Sequence, residues 1–139
     1  MEKQKILIAD DSEMNRALLV DILEDQYDIV EADNGAAAID LLTQCGGDFS
    51  LLLLDIMMPE MDGFEVLAYI NRYHLNDTLA VIMISADDSP ANIKHAYDLG
   101  AFDYISRPFD AAIVRRRISN TMLLYARQRH LENIIAEQF

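Results

Sequence analysis

A single cysteine, Cys45, leaves no means of building a disulfide framework or a thiolate metal cluster, and it is expected only to fill space at a helix end. Long apolar runs are missing as well. The longest, 51–54 and 79–84, fall far short of the ~20 residues that a bilayer crossing needs, so no membrane role is expected. Glu2, Lys3 and Lys5 precede a short strand-like run where a signal peptide would be apolar, and a cytoplasmic protein is expected. Positive charge is scarce: 24 acidic side chains stand against 11 basic ones, for a net charge of -13. A chain of that sign repels phosphate backbones, which argues against direct nucleic-acid binding. Neither GxGxxG nor GxxxxGK(S/T) occurs, so dinucleotide and P-loop chemistry have no support. No low-complexity linker divides the chain. What remains, 52% hydrophobic and 25% charged over 139 residues, suffices for one packed domain under a charged surface.

Five runs of β-branched residues and leucine are present, over 5–9, 28–32, 50–54, 79–84 and 102–105. Between them lie segments of helical periodicity. Met14, Ala17, Leu18, Asp21, Ile22 and Asp25 follow Ser12, a natural N-cap; 36–44 and 64–73 behave likewise; 92–99 is opened by Ser89-Pro90 and closed by Gly100. Strand-helix alternation at this spacing predicts βαβ units on a parallel sheet, and the LLLL and AVIMI runs suit strands covered on both faces.

From 110 to 137 there is neither proline nor glycine, which predicts one helix of about 28 residues, ~42 Å long. A body with a radius of gyration near ~14 Å is too small to support all of it. Ile113, Val114, Ile118, Thr121, Met122 and Tyr125 are expected to cover the sheet. Leu124, Leu131, Ile134 and Ile135 form a second stripe beyond them, suited to a second copy of the chain or to a lead-in toward an output domain. Residues 110–139 carry five arginines against three acids, read as a solvated, basic-leaning face. The division expected is a domain over 1–125 with a helical extension over 126–139.

Open parallel sheets gather ligands beyond the carboxyl ends of their strands, where strand order reverses. The first strand runs into Asp10-Asp11 and the third into Asp55; with order 2-1-3-4-5 these carboxylates converge. Two such charges ~4 Å apart repel by ~4 kcal/mol at an effective dielectric of 20. A divalent cation relieves that, and oxygen-only ligands favour Mg2+ or Mn2+ over zinc. Asp55 can then attack an incoming phosphoryl group as a carboxylate nucleophile. Ser85 after the fourth strand and Arg107 after the fifth add a hydroxyl and a cation suited to phosphoryl oxygens. The plainer reading has Asp10 and Asp11 capping a helix and Asp55 starting an ordinary turn. His74, His95 and His130 share no metal-ligand spacing and are expected at the surface.

The segments IADDSEMNR, LLLLDIMMPEMDGFEVL, MISA and GAFDYISRPF resemble the response-regulator receiver family over roughly residues 4 to 125. The resemblance implies a flavodoxin-like five-stranded parallel sheet of order 2-1-3-4-5 with five helices. It assigns Asp10, Asp11, Asp55 and the Met57 main-chain carbonyl to Mg2+, Asp55 to phosphorylation, and Ser85 and Tyr104 to the switch that follows. It implies a histidine kinase or phosphotransfer protein as donor, and an output domain or downstream protein reached through the fourth helix, fifth strand and fifth helix. Such a protein is a signalling phosphoacceptor rather than an enzyme with external turnover. Arg107 stands where the family usually has lysine, before a proline expected to follow a cis bond. Met57, two residues past the acceptor, is expected to hinder water, and Asp87 lies two past Ser85; Met58 and Met61 read as gap-fillers under the loop. Arg107 keeps a second reading open, a phosphorylation-independent interaction module of the same fold. A Mg2+-dependent phosphatase is a third, for which no general acid stands out.

Overall fold

The computed structural model describes residues 3–45, 48–86 and 89–138. Its elements run β1 (Lys5–Ala9), α1 (Glu13–Leu23), β2 (Asp28–Ala32), α2 (Gly35–Cys45), β3 (Phe49–Asp55), α3 (Gly63–Arg72), a 3-10 turn (Leu75–Asp77), β4 (Ala80–Ser85), α4 (Pro90–Asp98), β5 (Asp103–Ser106) and α5 (Ala111–Gln138). All five strands are parallel, in the order β2-β1-β3-β4-β5. The strand order reverses between β1 and β3, the expected location of a ligand crevice.

Strands β1 and β2 begin and end where the sequence pattern puts them. β3, β4 and β5 each run one residue further than their apolar runs, because ladder pairing continues through the polar residue at the exit. Asp55 pairs with Ile84 and Ser85 with Ser106. Both are thereby held in regular strand geometry instead of a loop.

Alternation along the strands sorts the core into two layers. Leu7, Leu52, Leu54, Val81 and Met83 pack with Val66, Leu67 and Ile70 on the side of α2, α3 and α4. Ile6, Ile8, Leu51, Leu53, Ile82 and Ile84 meet Leu19, Leu23, Val114 and Ile118 from α1 and α5. Side-chain caps start the helices: Ser12, Asn34, Asp62, Ser89 and Asp110 accept from Asn15, Ala37, Glu65, Asn92 and Ile113 N–H groups respectively. Gly100 ends α4 at φ 105°, with its N–H donating to the Tyr97 carbonyl and that of Ala101 to Ala96, the two bonds of a Schellman motif. His74, His95 and His130 are exposed as expected, with the His95 ring 4.6 Å from that of Phe64.

The burial of two helices adds to the sequence pattern and departs from it at one residue. α1 buries Leu19 and Leu23, while Met14 and Leu18 face solvent, because the helix turns its i, i+4 leucine pair toward the sheet. α5 is 28 residues long as read, and Val114, Ile118, Thr121 and Met122 are buried with Tyr125 partly so; Ile113 instead faces outward, one position off that stripe. Leu124, Leu131, Ile134 and Ile135 are all solvent-facing. Cys45 closes α2, but its side chain lies outside the described residues, as does Asp87.

Gly63 opens α3 directly against β3. A Cβ there would stand 2.3 Å from the Asp55 carbonyl oxygen and 2.8 Å from the Ile56 Cα, both immovable backbone. The Gly63 N–H donates to the Ile56 carbonyl at 2.8 Å, closing the loop. Gly63→Ala is expected to destabilise the fold by about 1–3 kcal/mol, read as a lower urea midpoint; an unchanged midpoint would show that the loop yields freely.

Candidate functional site

The site is assembled at the carboxyl edge of the sheet. Asp10 follows β1 with its N–H bonded to the Ala32 carbonyl at 3.1 Å. Its Oδ1 accepts from the Ser12 N–H at 2.9 Å, so one carboxylate both shapes the loop and faces the crevice. Arg16, one turn into α1, donates from Nη1 to the Asp10 carbonyl at 2.7 Å and from Nε to Glu31 Oε1 at 3.1 Å. Asp55, the last residue of β3, accepts at Oδ1 from the Met57 N–H at 3.3 Å. Asp10 and Asp55 are buried and Asp11 is exposed, and one carboxylate oxygen of each lies within 4.8 Å of the others. The convergence expected from the strand order is therefore present. Such an all-oxygen, doubly buried set suits a hard divalent cation.

Arg107 enters from the end of β5, where its N–H donates to the Ser85 carbonyl at 3.0 Å and the bond to Pro108 is cis, as expected. Its guanidinium joins the two buried acids: Nη2 is 2.7 Å from Asp10 Oδ2 and 3.0 Å from Asp55 Oδ2. Nε is buried and has no hydrogen-bond partner. Ser85 and Tyr104 are both buried, Ser85 at the exit of β4 and Tyr104 in the layer beneath α3 and α4. The Tyr104 carbonyl accepts from Arg117 Nη1 of α5 at 3.1 Å, and the same nitrogen pairs with Asp103 at 3.0 Å. Tyr97 of α4 donates its hydroxyl to that carboxylate as well. Met57 stands 70% exposed at the mouth of the crevice, whereas Met58 is buried and Met61 partly so, the gap-filling pair expected.

Sequence reading alone misses Arg16, Gly63 and Arg117. Gly63 has a usable signal, an Asp-Gly step eight residues past the acceptor position. Arg16 and Arg117 have none, because each reaches its partner only through the rotation of its helix.

Burial first, and then the negative charge of Asp10, push the Asp55 carboxyl up to about 6, against the opposing pull of Arg107 and the Met57 N–H.

The family model of the response regulator receiver domain matches residues 6–119. Chemotaxis protein CheY of Halobacterium salinarum is 35% identical over 123 residues, covering 88% of this chain and 98% of that protein. A probable cyclic di-GMP phosphodiesterase of Vibrio cholerae is 35% identical over 113 residues, which are 81% of this chain but 25% of the relative; the chain spans about a quarter of that protein's length. Among solved structures, a chain of the CheX-CheY-BeF3-Mg complex of Borrelia burgdorferi is similar with a TM-score of 0.78 and 30% identity, over 84% of this chain and 87% of that one. A putative two-component response regulator/GGDEF domain protein is similar with a TM-score of 0.83 and 26% identity, over 89% and 51% of the two chains.

The folded Asp55 carboxyl keeps its proton to higher pH than the unfolded one, whose ordinary value is 3.8, so its ionisation destabilises the fold as pH rises through that window. Asp55→Asn is expected to stabilise the metal-free chain by on the order of 2 kcal/mol at neutral and higher pH. The gain should fade as pH falls from about 6 toward 3.8. Urea unfolding across that range checks it, and a gain independent of pH would contradict the assignment.

Proposed function

Because this chain belongs to the response regulator receiver domain family, we propose that Asp55 is its phosphoacceptor and that Asp10, Asp11, Asp55 and the Met57 main-chain carbonyl would hold Mg2+ or Mn2+. The observation that carries this reading is the convergence of three carboxylates at the switch point of the sheet, with a guanidinium already seated among them. When bound, the ion would offset the negative charge that a phosphoryl group brings to an acidic crevice. The ionised Asp55 Oδ attacks phosphorus in the phosphohistidine of a histidine kinase or phosphotransfer protein; the O–P bond forms as the P–N bond breaks, and the departing imidazole nitrogen takes a proton from solvent. Arg107 supplies charge to the phosphoryl oxygens and the Ser85 hydroxyl a hydrogen bond. Tyr104, buried beside this edge, reports the change through α4, β5 and α5.

We place the receiver over residues 1–125 and take 126–139 as an extension that leads toward an output domain, a downstream protein or a second copy. Support comes from the apolar residues that α5 exposes past the sheet. Among the described residues no helix is long and apolar enough to cross a membrane; with the net charge of -13, a cytoplasmic partner that is neither lipid nor nucleic acid is the reading we favour. One observation supports a second function, a fold-retaining module that signals without phosphate. Arg107 already pairs with both Asp10 and Asp55, so the two buried acids share a counter-ion supplied by the chain itself.

Acetyl phosphate with Mg2+ discriminates between them. The receiver reading expects a phosphoryl adduct by intact mass spectrometry that disappears in Asp55→Asn; no adduct on the unaltered chain overturns it. Met57 provides a separate check on signal lifetime. We read its exposed side chain, two residues past Asp55, as an apolar cover that hinders attacking water, so Met57→Asn should speed phosphoryl loss on the order of tenfold, about 1.4 kcal/mol of barrier; an unchanged decay would remove that role.

A further inference from the structure

Arg16 of α1 donates from two nitrogens to groups near the exits of two strands. Nη1 meets the Asp10 main-chain carbonyl, just past β1, at 2.7 Å, and Nε pairs with Glu31 Oε1 of β2 at 3.1 Å. The Arg16 side chain is 15% exposed, although Glu31 and Asp33 line a cleft beside it. A surface cation among acids is satisfied by water and carboxylates. This one reaches inward to a main-chain oxygen, directly behind the acidic pair.

The oxygen it holds belongs to the peptide between Asp10 and Asp11. A peptide unit is planar, so fixing its oxygen fixes the Asp11 N–H and Cα as well. The other side of Asp10 is held by the sheet, its N–H donating to the Ala32 carbonyl at 3.1 Å. Asp10 Oδ1 accepts from the Ser12 N–H at 2.9 Å, which closes the turn. Asp11 is exposed, and among the described residues no group of the protein bonds its carboxylate. Its approach to within 4.8 Å of the Asp10 and Asp55 oxygens is therefore set by the backbone.

We propose that Arg16 is a positioning residue for the acidic pair. It pins the Asp10–Asp11 peptide, with Glu31 steadying its second nitrogen, so that both carboxylates stay turned toward a divalent cation. This rests on the metal role proposed above for those acids. The side chain acts on the main chain and on Glu31, and on neither carboxylate of the pair. A lysine has one point of attachment and cannot hold both partners in a fixed geometry.

Charge and position predict opposite signs. A guanidinium close to a cation site repels the cation, so if charge alone mattered Arg16→Gln would tighten divalent binding. Positioning predicts the reverse. In an Mn2+ titration of the full chain followed by electron paramagnetic resonance, Arg16→Gln should bind on the order of tenfold more weakly, the usual loss when a group that orients a metal ligand is removed. Arg16→Lys should fall between the two. Equal or tighter binding by Arg16→Gln, with the fold intact by circular dichroism, overturns the proposal.

A second measurement needs no metal. Hydrogen exchange at the Ser12 amide reports whether the turn is held, and it should be on the order of tenfold faster in Arg16→Gln while the amides of β3 and β4 keep their rates. Unchanged exchange at Ser12 overturns the proposal. So does a loss of protection spread across the whole sheet, which would assign Arg16 to overall stability. An unaltered chain indifferent to Mn2+ would sink the metal reading, while exchange at Ser12 would still read the pinning of the turn, so the two failures are distinguishable.

Discussion

The site depends on a repulsion that must be answered. Asp10 and Asp55 are both buried, and their carboxylates share one small crevice at the switch point of the sheet. Burial and the charge of Asp10 each raise the cost of keeping Asp55 ionised. Part of the answer comes from the chain itself, a single Arg107 nitrogen at 2.7 and 3.0 Å from the two. The surrounding structure serves this arrangement. Regular ladder pairing extends through Asp55 and Ser85, so their backbones do not move to relieve strain. Gly63 lets α3 start hard against the acceptor strand. Arg16 holds the Asp10 carbonyl and so aims the carboxylate inward.

Much of this was legible in the sequence because a parallel sheet gathers all its strand exits on one edge. Asp10, Asp11, Asp55, Ser85 and Arg107 each stand at such an exit, and order in the chain alone predicts their meeting. Caps at Ser12 and Ser89-Pro90 and the stop at Gly100 were readable for the same local reason. Contacts that depend on rotation about a helix axis were not. The spacing of α1 marks a helix without choosing its burying face, since Met14 and Leu18 compete with Leu19 and Leu23 for the sheet and periodicity cannot choose between adjacent stripes. Ile113 misses the sheet for the same reason. The arginine in place of the family's usual lysine was visible, but its shared pairing with acids 97 and 52 residues earlier was not; that took the folded register.

β5 joins the crevice edge to α4 and α5. Tyr104 has its side chain in one core layer and its carbonyl held by Arg117 of α5. Arg117 also shares Asp103 with Tyr97 of α4. Two helices therefore converge on one short strand, and Arg107 follows directly after it.

α5 carries that connection outward. Its first half is clamped to the sheet by Val114, Ile118 and Met122, and by the Tyr125 hydroxyl, which donates to the Asn76 carbonyl. The thirteen residues after Tyr125 within the helix extend about 20 Å beyond that clamp. A rod held at one end works as a lever: tilting its root by three degrees sweeps the tip through about one ångström. Whatever grips the free end feels an amplified copy of a motion too small to reshape the body that produced it.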